Sequence, residues 1–136
     1  YGGYAHQKDE ELIIKTNIVS TFNLLRNCAK LGFAAFINTG SSSEYGFKSK
    51  PMKELDLPTP NSVYAVSKVW ATMQGQFWAD VKKLPIVTIR PFSVYGPYEP
   101  LGRLMPNLIM AALNNVDTRL AAPTTGPPLS DRPRTV

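Results

Sequence analysis

Phe33-Ala34-Ala35-Phe36-Ile37-Asn38 is a short apolar run that leads directly into Thr39-Gly40-Ser41-Ser42-Ser43-Glu44-Tyr45-Gly46. The first piece has the length and bounding glycines of a buried strand. The second, dense in Gly and Ser, predicts a loop leaving that strand's C-terminal end. Further on, Leu84-Pro85 turns the chain and Ile86 to Arg90 predicts a second buried strand. Between the two strands, Lys48 to Pro60 carries three prolines and alternating charges, and predicts an exposed excursion. Asn61 or Ser62 can cap a helix running to about Lys83. Strand, crossover helix and strand of similar length make one βαβ unit, with parallel strands and a right-handed crossover. Both strands read as central ones, buried on two faces and needing neighbours at each edge.

The flanks extend this α/β reading. Residues 9–30 predict a helix, because Ile14, Ile18, Thr21, Phe22, Leu25 and Ala29 recur at spacings of three and four. Asp9 and Glu10 suit its first turn, and Gly32 follows its end. Pro91 to Gly102 predicts a long loop, and Pro106 to about Asn114 a third helix. Residues 1–8 read as loop, and beyond Val116 the Thr-, Pro- and Gly-rich sequence predicts no element.

Composition narrows the function classes. The 136 residues are 43% hydrophobic and 18% charged, which suits a globular chain of one domain. The net charge of +5 comes from scattered basic residues without an interleaved aromatic stripe, so no nucleic-acid partner is expected. The single cysteine, Cys28, cannot close an internal disulfide and sits in an apolar helical pattern. With no sign of an oxidising compartment, the expected location is cytoplasmic. One histidine, His6, cannot build a metal site alone, and no apolar run is long enough to span a membrane.

Chemistry is concentrated in Tyr64-Ala65-Val66-Ser67-Lys68. On a helix, Tyr64 and Lys68 stand a turn apart on one face. An ammonium near a phenol favours phenolate and draws the tyrosine toward proton transfer at working pH. Such a pair suits hydride transfer to or from an alcohol carbon. In parallel sheets, ligands lie beyond the C-terminal strand ends. The serine loop, the start of the Tyr64 helix and the loop after Arg90 all gather there.

Four blocks in order now carry a family resemblance: Asn17 to Leu25, Thr39 to Gly46, Tyr64 to Lys68, and Arg90-Pro91-Phe92-Ser93-Val94-Tyr95-Gly96-Pro97. The chain resembles the extended short-chain dehydrogenase/reductase family, in its NAD-dependent epimerase/dehydratase branch, most of whose members act on nucleotide sugars. The resemblance implies a fragment of a Rossmann-like doubly wound parallel sheet. Residues 1–136 would be the catalytic half of the dinucleotide-binding domain, without the glycine-rich phosphate loop and most of the substrate subdomain. By itself this piece is expected to be inactive. The tail from Ser130 to Val136 departs from the family pattern.

The resemblance also implies roles. Tyr64 would be the general acid/base, Lys68 would lower its pKa and bind the nicotinamide ribose, and Ser41 would hydrogen-bond the reacting oxygen. Asn17, Thr39 and Gly40 would lie on the cofactor side, with Gly40 sparing the ribose a side chain. Pro91 and Phe92 would bracket the nicotinamide. Ser42, Ser43, Ser93 and Arg103 would face the substrate. NAD is the expected cofactor, with NADP open, and the full-length protein is expected to be a homodimer. An epimerase is the first expectation, a nucleotide-sugar reductase the second, and a non-catalytic dinucleotide-binding domain the third. Dehydratases of this branch carry Asp-Glu directly after the catalytic Ser/Thr. Those positions are Ser42 and Ser43 here, and Glu44 falls one place too late. Trp70 and Trp78 read as packing residues.

Overall fold

The computed structural model describes residues 7–117. These divide into two units, one ending at Val94 and the other beginning at Tyr95. His6 and the tail after Leu129 lie outside the described residues.

The first unit opens with one helical stretch in three segments: α1 (Glu10–Ile14), a π turn (Lys15–Val19) and α2 (Ser20–Leu31). Asp9 caps it by accepting from the Leu12 N–H at 2.9 Å, and Glu10 and Glu11 complement the dipole of the first turn. Strand β1 (Phe36–Thr39) follows, then a 3₁₀ turn (Ser42–Tyr45). Helix α3 (Val63–Lys82) is capped by Ser62, which accepts from the Ala65 N–H at 3.1 Å. Lys83 ends it in the left-handed conformation, and β2 (Ile86–Ile89) completes the unit.

Strands β1 and β2 pair in parallel, Phe36 opposite Ile86 and Thr39 opposite Ile89. The βαβ unit expected from the sequence is therefore present, with α3 in the connection between the two strands. The first strand starts later than the apolar run suggested. Its partner offers only Ile86–Ile89, so Phe33 lies outside the ladder and packs its ring near Phe36, with centroids 5.8 Å apart. The π turn was not legible from the spacing of apolar residues.

The sheet places Phe36, Asn38, Ile86 and Thr88 toward α3, as the alternation of a strand requires. Gly75 lets the helix come close, because a Cβ there would stand 3.3 Å from both Asn38 Nδ2 and Thr88 Oγ1. Buried Asn38 fixes this seam by donating to Ala71 O at 3.0 Å and Thr88 Oγ1 at 3.1 Å. On its other side α3 meets the first helix, where Ile13 and Leu25 are buried and Phe22 meets Trp78 edge-on. Trp78 is thus a packing residue, as read from the sequence.

The opposite face of the sheet is open among the described residues. Ile37 is 65% exposed, Val87 61% and Ile89 48%. These exposed side chains lie on the second face, which strands read as central need other elements to cover.

The second unit contains α4 (Leu104–Leu113). It starts two residues ahead of the expected Pro106, which sits in the first turn, where a missing N–H costs no helical bond. Arg103 is its N-terminal flanking residue, and the Arg103 Nε lies 3.5 Å from Glu99 Oε1.

Candidate active site

The C-terminal end of β1 carries the site. Beyond Thr39, the Gly40 N–H donates to Ile89 O at 2.7 Å and extends the strand pairing by one bond. Ser41 follows in extended backbone and caps the 3₁₀ turn. Its Oγ accepts from the Ser43 N–H at 3.2 Å, so the hydroxyl proton stays free to be donated elsewhere. Ser41 is buried, and Ser42 and Ser43 are half-buried. The Ser42 N–H donates to Pro91 O at 3.2 Å, tying the serine turn to the loop after β2.

Helix α3 brings Lys68 to the same strand end. Its Nζ donates to Thr39 O at 3.0 Å and stands 5.8 Å from the centre of the Tyr64 ring. Both side chains are half-buried. Burial lowers the Lys68 ammonium below the ordinary lysine value, while the Glu44 charge opposes that by raising it. Tyr64, Lys68 and Thr39 are thus brought together as the sequence suggested. Ser41 reaches the cluster through the chain, two residues after Thr39, rather than through a direct bond to Tyr64.

Asn17 arrives by way of the π turn. It is buried, and its Nδ2 donates to Ser67 Oγ at 2.9 Å. Ser67 in turn donates to Tyr64 O at 2.7 Å. Asn17 is therefore tied to the helix turn that presents Tyr64 and Lys68. Wide turns of this kind recur at functional sites.

The sequence reading missed the centre of the region. Glu44 is completely buried. Its Oε1 accepts from the Ser41 N–H at 2.7 Å and from Thr72 Oγ1 at 3.0 Å, and its Oε2 from Arg90 Nε at 2.8 Å. Arg90 also donates through Nη1 to the Tyr45 hydroxyl at 2.9 Å and to Glu54 O at 3.0 Å. Burial would lower Arg90, but its bonds to Tyr45 and Glu44 outweigh that and raise it above the ordinary arginine value. The signal was available: Ser41-x-x-Glu44 is the capping-box pattern. At Gly40 the described residues supply a reason of their own for glycine: a Cβ there would lie 2.5 Å from Glu44 Oε1 and 3.1 Å from Arg90 Cγ.

Phe92 stacks on Tyr45 with ring centroids 6.2 Å apart and helps line an open cleft of about 380 Å³ with Ser42, Ser43, Phe47, Met52 and Asn61. A larger cavity of about 640 Å³ runs along β2 and Arg90. Tyr64, Lys68 and Ser41 line neither. Ser93 is exposed at φ 32°, and Arg103 belongs to the second unit. Among the described residues no cluster could hold a metal ion, and no helix is long and apolar enough to cross a membrane.

Lys68→Met in the full-length protein is expected to lower kcat by about 10- to 100-fold, because it removes the cation 5.8 Å from the Tyr64 ring together with its bond to Thr39 O. A variant within threefold of wild-type kcat would refute this.

Comparison with known proteins gives a consistent set of relatives. The sequence profile of the NAD dependent epimerase/dehydratase family matches residues 2–128. A UDP-glucuronate 4-epimerase of Thermodesulfobacterium geofontis is 34% identical over 85 residues, which are 62% of this chain and 26% of that protein. The chain thus spans about a quarter of that relative's length. The crystal structure of UDP-glucuronic acid 4-epimerase from Bacillus cereus in complex with NAD superposes with a TM-score of 0.70 at 33% identity, covering 80% of this chain and 36% of that one. The structure of RMD from Pseudomonas aeruginosa complexed with NADPH gives 0.63 at 29% identity, covering 68% and 32%.

Proposed function

We propose, for a chain that belongs to the NAD dependent epimerase/dehydratase family, that the full-length protein is an NAD-linked epimerase of a nucleotide sugar. The observation that carries this reading is Lys68, bonded to Thr39 O at the end of β1 and facing the Tyr64 ring from a half-buried position. One of its three N–H donors is spent on Thr39, and the remainder suit a vicinal diol such as a ribose. The cofactor-side assignment of Asn17, Thr39, Gly40, Pro91 and Phe92 is part of the same proposal. Bound NAD supplies a reversible hydride acceptor.

The chain's own residues move the proton. Tyr64 takes the proton of the sugar hydroxyl as the carbon is oxidised, and returns it when the carbon is reduced from the other face. Lys68 stabilises the phenolate between the two steps. Ser41, with its hydroxyl proton free, donates to the reacting oxygen. Ser42 and Ser43 line the cleft that would take part of the sugar. Isothermal titration of the full-length protein with NAD and NADP tests the cofactor, and binding of neither would end the proposal. Turnover of nucleotide hexoses without net cofactor consumption distinguishes an epimerase from a reductase. The reductase reading draws on the likeness to the NADPH-bound Pseudomonas aeruginosa structure.

The full-length protein is expected not to release a 4-keto-6-deoxy product. Elimination needs a carboxyl acid and base, and hydroxyls at Ser42 and Ser43 are poor substitutes. Glu44 is fully buried and receives three hydrogen bonds from the protein, so it has no free reach to a substrate. Mass spectrometry showing loss of one water from a nucleotide hexose would overturn this.

A further inference from the structure

We infer that Glu44 is a positioning residue for Ser41, held by Arg90, and that turnover depends on this buried carboxylate although it never meets substrate. The inference rests on the catalytic reading of Ser41 given above. Three observations converge. Ser41 and Glu44 are joined twice, by the Ser41 N–H to Glu44 Oε1 at 2.7 Å and by the Glu44 N–H to Ser41 O at 3.1 Å. The carboxylate is anchored from two further elements, by Thr72 on α3 and by Arg90 after β2. Gly40 has no Cβ to push that carboxylate aside.

The reciprocal bonds leave Ser41 little freedom in ψ, and with the Ser43 N–H on its Oγ they set where the free proton points. A serine held this way loses no orientation entropy when the reacting oxygen arrives. A neutral amide cannot reproduce the arrangement. In Glu44→Gln, one end of the side chain accepts and the other donates. Either Arg90 Nε or the Ser41 N–H then faces a donor. Glu44→Asp keeps the charge but is one methylene too short to reach Arg90 and the Ser41 N–H together.

The test is a double-mutant cycle on the full-length enzyme, with kcat and KM measured for wild type, Ser41→Ala, Glu44→Gln and the pair. Expected is a kcat loss of about 10- to 100-fold for Glu44→Gln, the scale for misplacing a reacting group, with KM little changed. In the Ser41→Ala background the same substitution is expected to cost less than about threefold, since nothing remains to position. Equal losses in both backgrounds would overturn the inference while leaving Ser41 catalytic. Full kcat in Ser41→Ala would overturn the catalytic reading of Ser41 and this inference with it. If Glu44→Gln does not fold, Glu44→Asp runs the same cycle. Because it keeps the charge that acts on Lys68, it also separates positioning from any change at that lysine.

Discussion

Tyr64→Phe in the full-length enzyme is expected to keep NAD affinity and lose about 10²–10⁴-fold in kcat, the usual contribution of a general acid/base. The ring is half-buried at the start of α3, and phenylalanine fills its volume. What disappears is a group able to exchange a proton near the Lys68 ammonium, 5.8 Å from the ring centre. Among the described residues of the site, neither neighbour can stand in. Ser41 is a neutral hydroxyl far from its own titration range, and Glu44 is enclosed. The defect is therefore expected in kcat and kcat/KM alike, as for an interaction made only in the transition state. A variant within threefold of wild-type kcat would reduce Tyr64 to a packing residue.

Arg90→Ala is expected to destabilise the full-length protein by about 3 kcal/mol, near the lower end for breaking a buried ion pair. Among the described residues, Arg90 Nε is the only cationic donor bonded to a carboxylate that is completely shielded from water. The Ser41 N–H and Thr72 hydroxyl would still solvate Glu44, which keeps the loss from being larger. Two bonds to Tyr45 and Glu54 would go as well. Removing both partners of a buried pair is often close to neutral. Here it would not be, because the Ser41 N–H and Thr72 would then lose their acceptor. Urea unfolding should show a lower midpoint at an unchanged slope. A midpoint equal to wild type would show that Glu44 does not need its cation.

The parts of this molecule that follow from local patterns were readable in the sequence. The strand Ile86–Ile89, helix α3 with its Ser62 cap, and the meeting of Tyr64 with Lys68 all depend on residues a few positions apart. The association of Lys68 with Thr39 required only the βαβ topology. The Glu44 clamp was different. Its donors come from positions 41, 72 and 90, and only folding brings Thr72 and Arg90 together. Glu44 read as a misplaced catalytic carboxylate because its capping partner was weighed as a catalyst alone. Asn17 was matched to a motif, but its bond to Ser67 depends on a helical irregularity that a periodicity of three and four does not reveal.

That irregularity explains a phase problem in the first helix. Ile13 and Leu25 are both buried, at 4% and 0% exposure. In a uniform α-helix, advancing about 100° per residue, they would point about 120° apart. A π turn absorbs one residue without advancing the helix, which brings the two within about 20°. The turn at Lys15–Val19 works like a leap day, correcting the calendar so that the same season returns to the same face. Straightening it into regular α-helix with every residue kept would therefore rotate everything before it, Asp9 cap included, by about 100° relative to the face that meets α3.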